Sequence, residues 1–302
     1  MKKIVSQILF LCFTAILLFF PEQSIEGARN GLLLWSGTIV PTLLPFLLLT
    51  GFMNKYHTLH YVSWLFFPIY RLFPLLNRDL AYTLILGFFC GYPLGGKIIN
   101  DLVLSGSYTK KEGQFLLAVC NNVSPMFTIG YTLTLILHSR VPVPLFFFCL
   151  YAPNICFFLF LLNLSREKQF LYIHQQPEGF APKKTTDEII FDALHSIFAI
   201  GIYIMLFSIG TNLLTSFRPF GVFSDIIIGC LEITTGITYW GSLPIPLSVK
   251  IAILCAISSF GGICSIMQTK SVCKESQLSL FPYVFLKSFF AVISGILALL
   301  LF

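Results

Sequence analysis

Two apolar segments, one in each half of the chain, are interrupted by residues that hydrocarbon does not accept on a plain helix. The first, Leu84 to Leu104, reads LILGFFCGYPLGGKIINDLVL, and the second, Asp225 to Trp240, reads DIIIGCLEITTGITYW. Glycines, a proline, hydroxyl residues and the ionisable Lys97, Asp101 and Glu232 stand where a spanning helix carries apolar side chains. Inside a bilayer, irregular backbone survives only where protein or a water-filled cavity supplies hydrogen-bond partners, so breaks at matching places in two halves point to a solute site. Each apolar arm is only about 5–10 residues long, against about 20 for a crossing, and both segments are therefore expected to be re-entrant hairpins.

The rest of the chain is apolar enough to demand a membrane. Hydrophobic residues make up 56% of the 302, charged residues 11%, and the mean hydropathy is +0.85; a soluble globule carries about a quarter charged residues. No polar stretch is longer than 165–188, so one membrane domain is expected. Lys2, Lys3 and the run Ile8 to Phe20 resemble a secretory leader, but no A-x-A-like site precedes Gly31, which favours an uncleaved anchor. The nine cysteines include no C-x-x-C pair and read as small buried hydrophobes, giving no disulfide framework and no metal site. A net charge of +6 raises the question of nucleic acid, but the positive residues sit at the ends of apolar runs and form no stripe with aromatics; they are better explained by topology.

Runs long enough to span lie at 4–20, 31–53, 113–137, 141–164, 189–215, 246–268 and 281–302, about seven full spans. Residues 60–76, with two prolines, Arg71 and several aromatic rings, fit a helix lying at the interface. With the N-terminus cytoplasmic and the two hairpins entering from opposite faces, fourteen lysines and arginines (Lys287 among them) fall on the cytoplasmic side and four outside (Arg29, Arg140, Arg218 and Lys250), with Lys97 in a hairpin. The order span, hairpin, span, span then occurs twice with opposite orientation. The expected organisation is an N-terminal anchor and loop (1–30), a first repeat (31–164), a cytoplasmic linker (165–188) and a second, inverted repeat (189–302).

A polar interruption follows each hairpin. After the first comes Cys120-Asn121-Asn122-Val123-Ser124-Pro125, and after the second Ser258-Ser259-Phe260-Gly261-Gly262. Pro125 removes a backbone donor and frees a carbonyl, while Asn121, Asn122 and Ser124 supply side-chain partners. Half-helix N-termini offer N–H groups to anions and unwound carbonyls coordinate cations, so two such pairs facing each other at mid-depth make one site. The candidate substrate-binding residues are Gly91, Tyr92, Pro93, Gly95, Gly96, Lys97, Asn121, Asn122, Ser124, Glu232, Thr234, Thr235, Ser258, Ser259, Gly261 and Gly262. Gly91 to Pro93 with Gly95 and Gly96 are expected at the tip of the first hairpin. Lys97 is either paired with Asp101 four residues on or free to meet a substrate anion. Glu232, with no partner within four residues, is expected to carry a proton or bind a cation. The bland alternative for each break is a packing kink, and for the asparagines interhelical glue. No metalloprotease, serine-hydrolase, Walker or Rossmann motif occurs, so the chain reads as no enzyme, and energy would come from an ion gradient, a partner ATPase or the solute's own gradient.

The stretches GFFCGYPLGGKIINDLVLSGSYTKKEGQFLLAVCNNVSPMFTIGY (87–131), SSFGGICSIMQTK (258–270) and WSGTIVPTLLPF (35–46) resemble the sporulation integral membrane proteins of the YlbJ type. These carry a nucleoside-recognition or Gate domain, also found in concentrative nucleoside transporters and ferrous-iron transporters. The resemblance covers most of the chain from residue 31 onward, and GYP-x-GGK with CNN-x-SP is its most specific part. It implies a bacterial spore-former, a role in making resistant spores, and movement of a small anion such as dipicolinate across a forespore membrane.

The expectation is therefore an all-α polytopic membrane protein with an inverted repeat and two re-entrant hairpins, resembling the concentrative nucleoside transporter fold. It would move a small polar or anionic solute by alternating access, with a proton or sodium as coupling ion and no other cofactor. The lipid bilayer, a homo-oligomer or other sporulation membrane proteins are the expected partners. The alternatives are a non-transporting structural subunit of a sporulation membrane complex and a nucleoside transporter.

Overall fold

The computed structural model describes residues 2–56, 58, 84–85, 87–89, 91–168, 185–219 and 221–302. Among them there are helices and turns and no strand. The expected interfacial segment 60–76 and most of the linker 165–188 lie outside the described residues.

Helix α1 is Lys2–Phe19 and α2 is Pro21–Leu34. The expected loop before residue 31 is thus helical, because Pro21 occupies the first turn, where its missing N–H costs nothing. The polar face of α2 lies along a later helix: Asn212 Nδ2 donates to Gln23 O at 2.8 Å. A π-helical turn, Trp35–Ile39, leads into α3, Val40–Lys55. The parts Pro21–Ile39 and Leu43–Met53 meet at 49°. A π-turn next to Pro41 and Pro45 explains the bend, since each proline removes a helix hydrogen bond and crowds the preceding turn.

The first broken segment is not one helix. Residues 84–85 and 87–89 are helical, Gly91 turns the chain at φ +75°, and α4 resumes at Leu94–Leu104. Gly87 and Gly95 both press on the same Cys120 carbonyl, although on a straight helix they would stand about 12 Å apart. The chain therefore reverses at Gly91–Pro93. A capping box follows, in which Thr109 N donates to Glu112 Oε2 at 2.7 Å and Glu112 N to Thr109 Oγ1 at 3.3 Å, and it starts α5, Lys110–Cys120. Residues 121–124 are unwound. Pro125, capped by Ser124, opens α6 at Pro125–Phe127, which continues as a π-helix over Thr128–Ile136. The expected span 113–137 is thus two half-helices. Helix α7 is Val143–Lys168.

Helix α8, Thr186–Phe217, is opened by a Thr185–Glu188 capping box and closed by Arg218 in the left-handed region. Helices α9, Val222–Leu231, and α10, Ile233–Ser242, are separated by Glu232 alone, whose backbone is extended. They lie antiparallel: a Cβ on Gly236 would stand 3.0 Å from Gly229 Cα, and Trp240 Nε1 donates to Asp225 O at 3.0 Å. Helix α11, Leu247–Phe260, breaks at Gly261 and continues as α12, Gly262–Val272; α13, Leu280–Leu301, ends the chain.

By length and composition, four stretches among the described residues can cross a membrane: Val143–Asn163, Thr186–Phe217, Leu247–Val272 across its break at Gly261, and Leu280–Leu301. The bent Pro21–Ile39 and Leu43–Met53 pair makes a fifth. The core is shared between the halves, with Leu116 and Leu117 of α5 in one cluster with Tyr283 and Phe290 of α13, and Leu43 and Leu47 of α3 in another with Ile197, Ile200 and Ile204 of α8.

Candidate functional site

Each hairpin tip sits on the helix break that follows it. Gly91 packs on the first break, where an added Cβ would lie 2.9 Å from Ser124 N. Glu232 packs on the second, its Cα 3.3 Å from the Cβ position of Gly262. The pairs also touch across the halves. Tyr92 donates its hydroxyl to Ser259 O at 3.4 Å, and Tyr131 of the π-helix Thr128–Ile136 shares a 2.7 Å hydrogen bond with Thr238 Oγ1 of the second hairpin.

Between them lies a cavity of about 690 Å³. Six of the sequence candidates line it: Gly91, Tyr92, Ser124, Glu232, Thr234 and Gly261. Its far wall is the bent α2–α3 region, including Thr38, Pro45 and Phe46, with Ile200 and Ile204 of α8. Polar groups that the sequence reasoning did not single out also reach it, namely Tyr131, Ser265 and Gln268. For Ser265 and Gln268 the signal was a three-residue spacing that puts both on one face of α12, four and seven residues after Gly261.

Glu232 is not without local partners, which corrects the sequence expectation. Its Oε1 accepts from Thr234 N at 3.0 Å, and its Oε2 from Thr235 N and Thr235 Oγ1 at 2.8 and 2.9 Å. It is the N-cap of α10. Donors two and three residues ahead are the normal reach of a cap, and the carboxylate also meets the positive end of the helix dipole. The side chain is held rigidly at the cavity wall, only 3% exposed.

The asparagines stand behind the cavity. Asn121, fully buried, accepts from Gly96 N at 3.2 Å and donates to Thr269 Oγ1 at 2.8 Å and Tyr283 OH at 3.0 Å. It ties the first hairpin to α12 and α13. Asn122 donates to Val119 O at 2.6 Å, while its Oδ1 accepts from Asn154 Nδ2 at 3.0 Å and from Lys287 Nζ at 2.5 Å. Tyr151 OH donates to Val123 O at 2.9 Å. The break is thus held by side chains of α7, α12 and α13, Tyr151 on the Val123 carbonyl and the others on the Asn121 and Asn122 side chains.

The remaining candidates divide. Pro93, Gly95 and Gly96 are buried at the tip, away from the cavity lining, and Thr235 serves the Glu232 cap. Ser259 offers its carbonyl to Tyr92, whereas the fully buried Ser258 hydroxyl has no hydrogen-bond partner. Gly262 supports the second tip. Lys97 faces Leu43, Leu47, Ser196 and Ile200 in a separate crevice and does not line the cavity.

The buried lysine beside an asparagine is instead Lys287. The sequence expectation put it with the charges at the cytoplasmic ends of apolar runs; the structure buries it inside α13, 1% exposed. The misreading came from its place seven residues after Leu280. The rule applied to Glu232, that an ionisable group within an apolar run marks a site, singles it out equally.

Helices of this length and apolarity, with polar breaks sealed by neighbouring helices, define an integral membrane protein of all-helical build. The chain is related to the YlbJ-type sporulation integral membrane proteins, the family its motifs resemble: it is 22% identical over 329 aligned positions to the sporulation integral membrane protein YlbJ of Bacillus subtilis (strain 168), spanning 97% of this chain and 81% of that one. No family model matches the chain, and no solved structure matches it.

Proposed function

We propose that the protein is a membrane carrier that moves a small polar or anionic solute by alternating access, acting in spore formation. The observation that carries this reading is the meeting of two hairpin tips and two helix breaks on one 690 Å³ cavity, the arrangement in which discontinuous helices bind solute at a repeat interface. The helix, hairpin, broken-helix, helix order found twice supports an inverted repeat, with the hairpins re-entrant and the two halves rocking about the cavity.

Among the described residues the lining holds one carboxylate, Glu232, and no lysine or arginine. Hydroxyls of Tyr92, Ser124, Tyr131 and Thr234 and the Gln268 amide offer hydrogen bonds, while Phe89 and Phe127 offer apolar faces. That set suits a compact, flat solute with polar edges. An anion such as the dipicolinate implied by the family resemblance would enter together with a proton or sodium ion at Glu232, which offsets its charge in a low-dielectric site.

Purified protein in liposomes tests the proposal, with radiolabelled dipicolinate and uridine as probes. Accelerated, saturable entry of either supports a carrier, and the choice between them names the solute class. A structural subunit of a membrane assembly would move neither.

A further inference from the structure

Lys287 is a buried charged side chain that the carrier reading does not use, and its surroundings are unusual. Among the described residues Nζ has one hydrogen-bond acceptor, Asn122 Oδ1 at 2.5 Å, although an ammonium carries three donors. Nζ also lies over two aromatic rings, the Tyr92 centroid at 5.3 Å and that of Tyr283 at 5.9 Å, with Cys120 nearby. Among the described residues no carboxylate pairs with it. Burying an ammonium without a counter-charge costs several kcal/mol, so a lysine kept here has a role that an apolar residue of the same length would not fill.

The location suggests that role. Asn122 lies in the unwound stretch immediately after α5, where a helix C-terminus carries partial negative charge. Tyr92 belongs to the first hairpin tip and also lines the cavity, so its ring separates Nζ from the solute space. Carbonyl oxygens at an unwound half-helix C-terminus form the setting in which discontinuous helices bind a free monovalent cation, and aromatic faces add to it.

We propose that Lys287 is a tethered cation: its ammonium occupies a monovalent-cation site between the first hairpin tip and the first helix break, and fixes that junction without any ion from solution. Removing the side chain uncovers the site, which a free sodium, ammonium or methylammonium ion then fills. The proposal does not rest on transport, and its test reads folding alone.

The wild type, Lys287→Ala and Lys287→Met are purified in detergent and melted in N-methyl-D-glucamine, sodium, potassium or methylammonium chloride at one ionic strength. A small cation raises the midpoint of Lys287→Ala by about 3 °C or more, as a ligand that binds only the folded state must. The wild type stays level across the four salts, and so does Lys287→Met, whose side chain refills the space without leaving an ion site. Equal responses in wild type and Lys287→Ala, or no response in Lys287→Ala, overturn the proposal. Should Lys287→Ala not fold in glucamine buffer, Lys287→Ser is extracted and purified in each salt; recovery of folded protein only with a small cation supports the tethered-cation role, and failure in all four contradicts it.

Discussion

Tyr92 and Gly261 touch across the two halves of the chain: a Cβ built on Gly261 would lie 2.6 Å from both Cζ and the hydroxyl oxygen of Tyr92. Gly261 also holds φ +82°, in the left-handed region where a side chain costs about 1–2 kcal/mol. The second break is therefore shaped to receive the first hairpin tip. Gly261→Ala is expected to lower the melting temperature sharply, and Tyr92→Leu in the same chain to restore only part of the loss, because it relieves the collision and not the backbone strain. Detergent melts of the two single variants and the double variant measure the coupling.

Asn121 makes three hydrogen bonds from a fully buried amide. Asn121→Ala strands the Gly96 N–H and takes a hydrogen bond from each of the Thr269 and Tyr283 hydroxyls, at a cost of about 1–3 kcal/mol for each buried group left unsatisfied. The expected result is a large loss of folded protein in membranes with no selective change in solute preference, read by comparing abundance with flux per folded molecule.

Glu232 and Lys97 should behave differently. Glu232→Gln keeps an oxygen for capping α10 and is expected to leave the protein folded while abolishing dependence on an ion gradient; Glu232→Ala also loses the cap, about 1 kcal/mol. Lys97→Ala, lying outside the cavity lining, should leave solute affinity within about twofold, a change of under ~0.5 kcal/mol. Isothermal binding and gradient-driven uptake on the same preparations separate the two effects.

Several of these relationships were legible in the sequence and others were not. The breaks at Gly91–Pro93, 121–124, Glu232 and Gly261 were visible because glycine, proline and ionisable residues interrupt apolar runs. What each break meets was not visible, because contacts such as Asn121 with Tyr283 lie 162 residues apart and no local pattern encodes them. The partners of Glu232 were not legible as charges because they are backbone N–H groups and the hydroxyl of Thr235. The burial of Lys287 was not legible because its place near a helix start reads like that of the exposed charges. The helical stretch 21–30 was missed because its polarity resembles a loop, whereas Gly27 and Gly31 bring it against α8, with Cβ positions 2.7 and 2.8 Å from Ile209 Cα and Met205 Cα.

The proposed inverted repeat makes a separate prediction. Single cysteines at Lys111 and Arg218, in a chain cleared of native cysteines, should be labelled from opposite faces of intact cells, Arg218 from outside and Lys111 only after permeabilisation. Labelling of both from one side contradicts the inverted repeat.

The central claim is that the cavity between the hairpin tips is a transport route. Gly130 lines it, and a Cβ added there meets nothing within 4 Å, so Gly130→Leu is expected to narrow the cavity with little cost to the backbone around it. The most direct measurement is the initial rate of dipicolinate and uridine entry into liposomes holding equal amounts of folded wild type or Gly130→Leu. The carrier account predicts saturable entry of one solute through the wild type and a loss of at least about tenfold in the variant, equivalent to ~1.4 kcal/mol. Wild-type liposomes no more permeable than empty ones, or equal rates through both proteins, would contradict it.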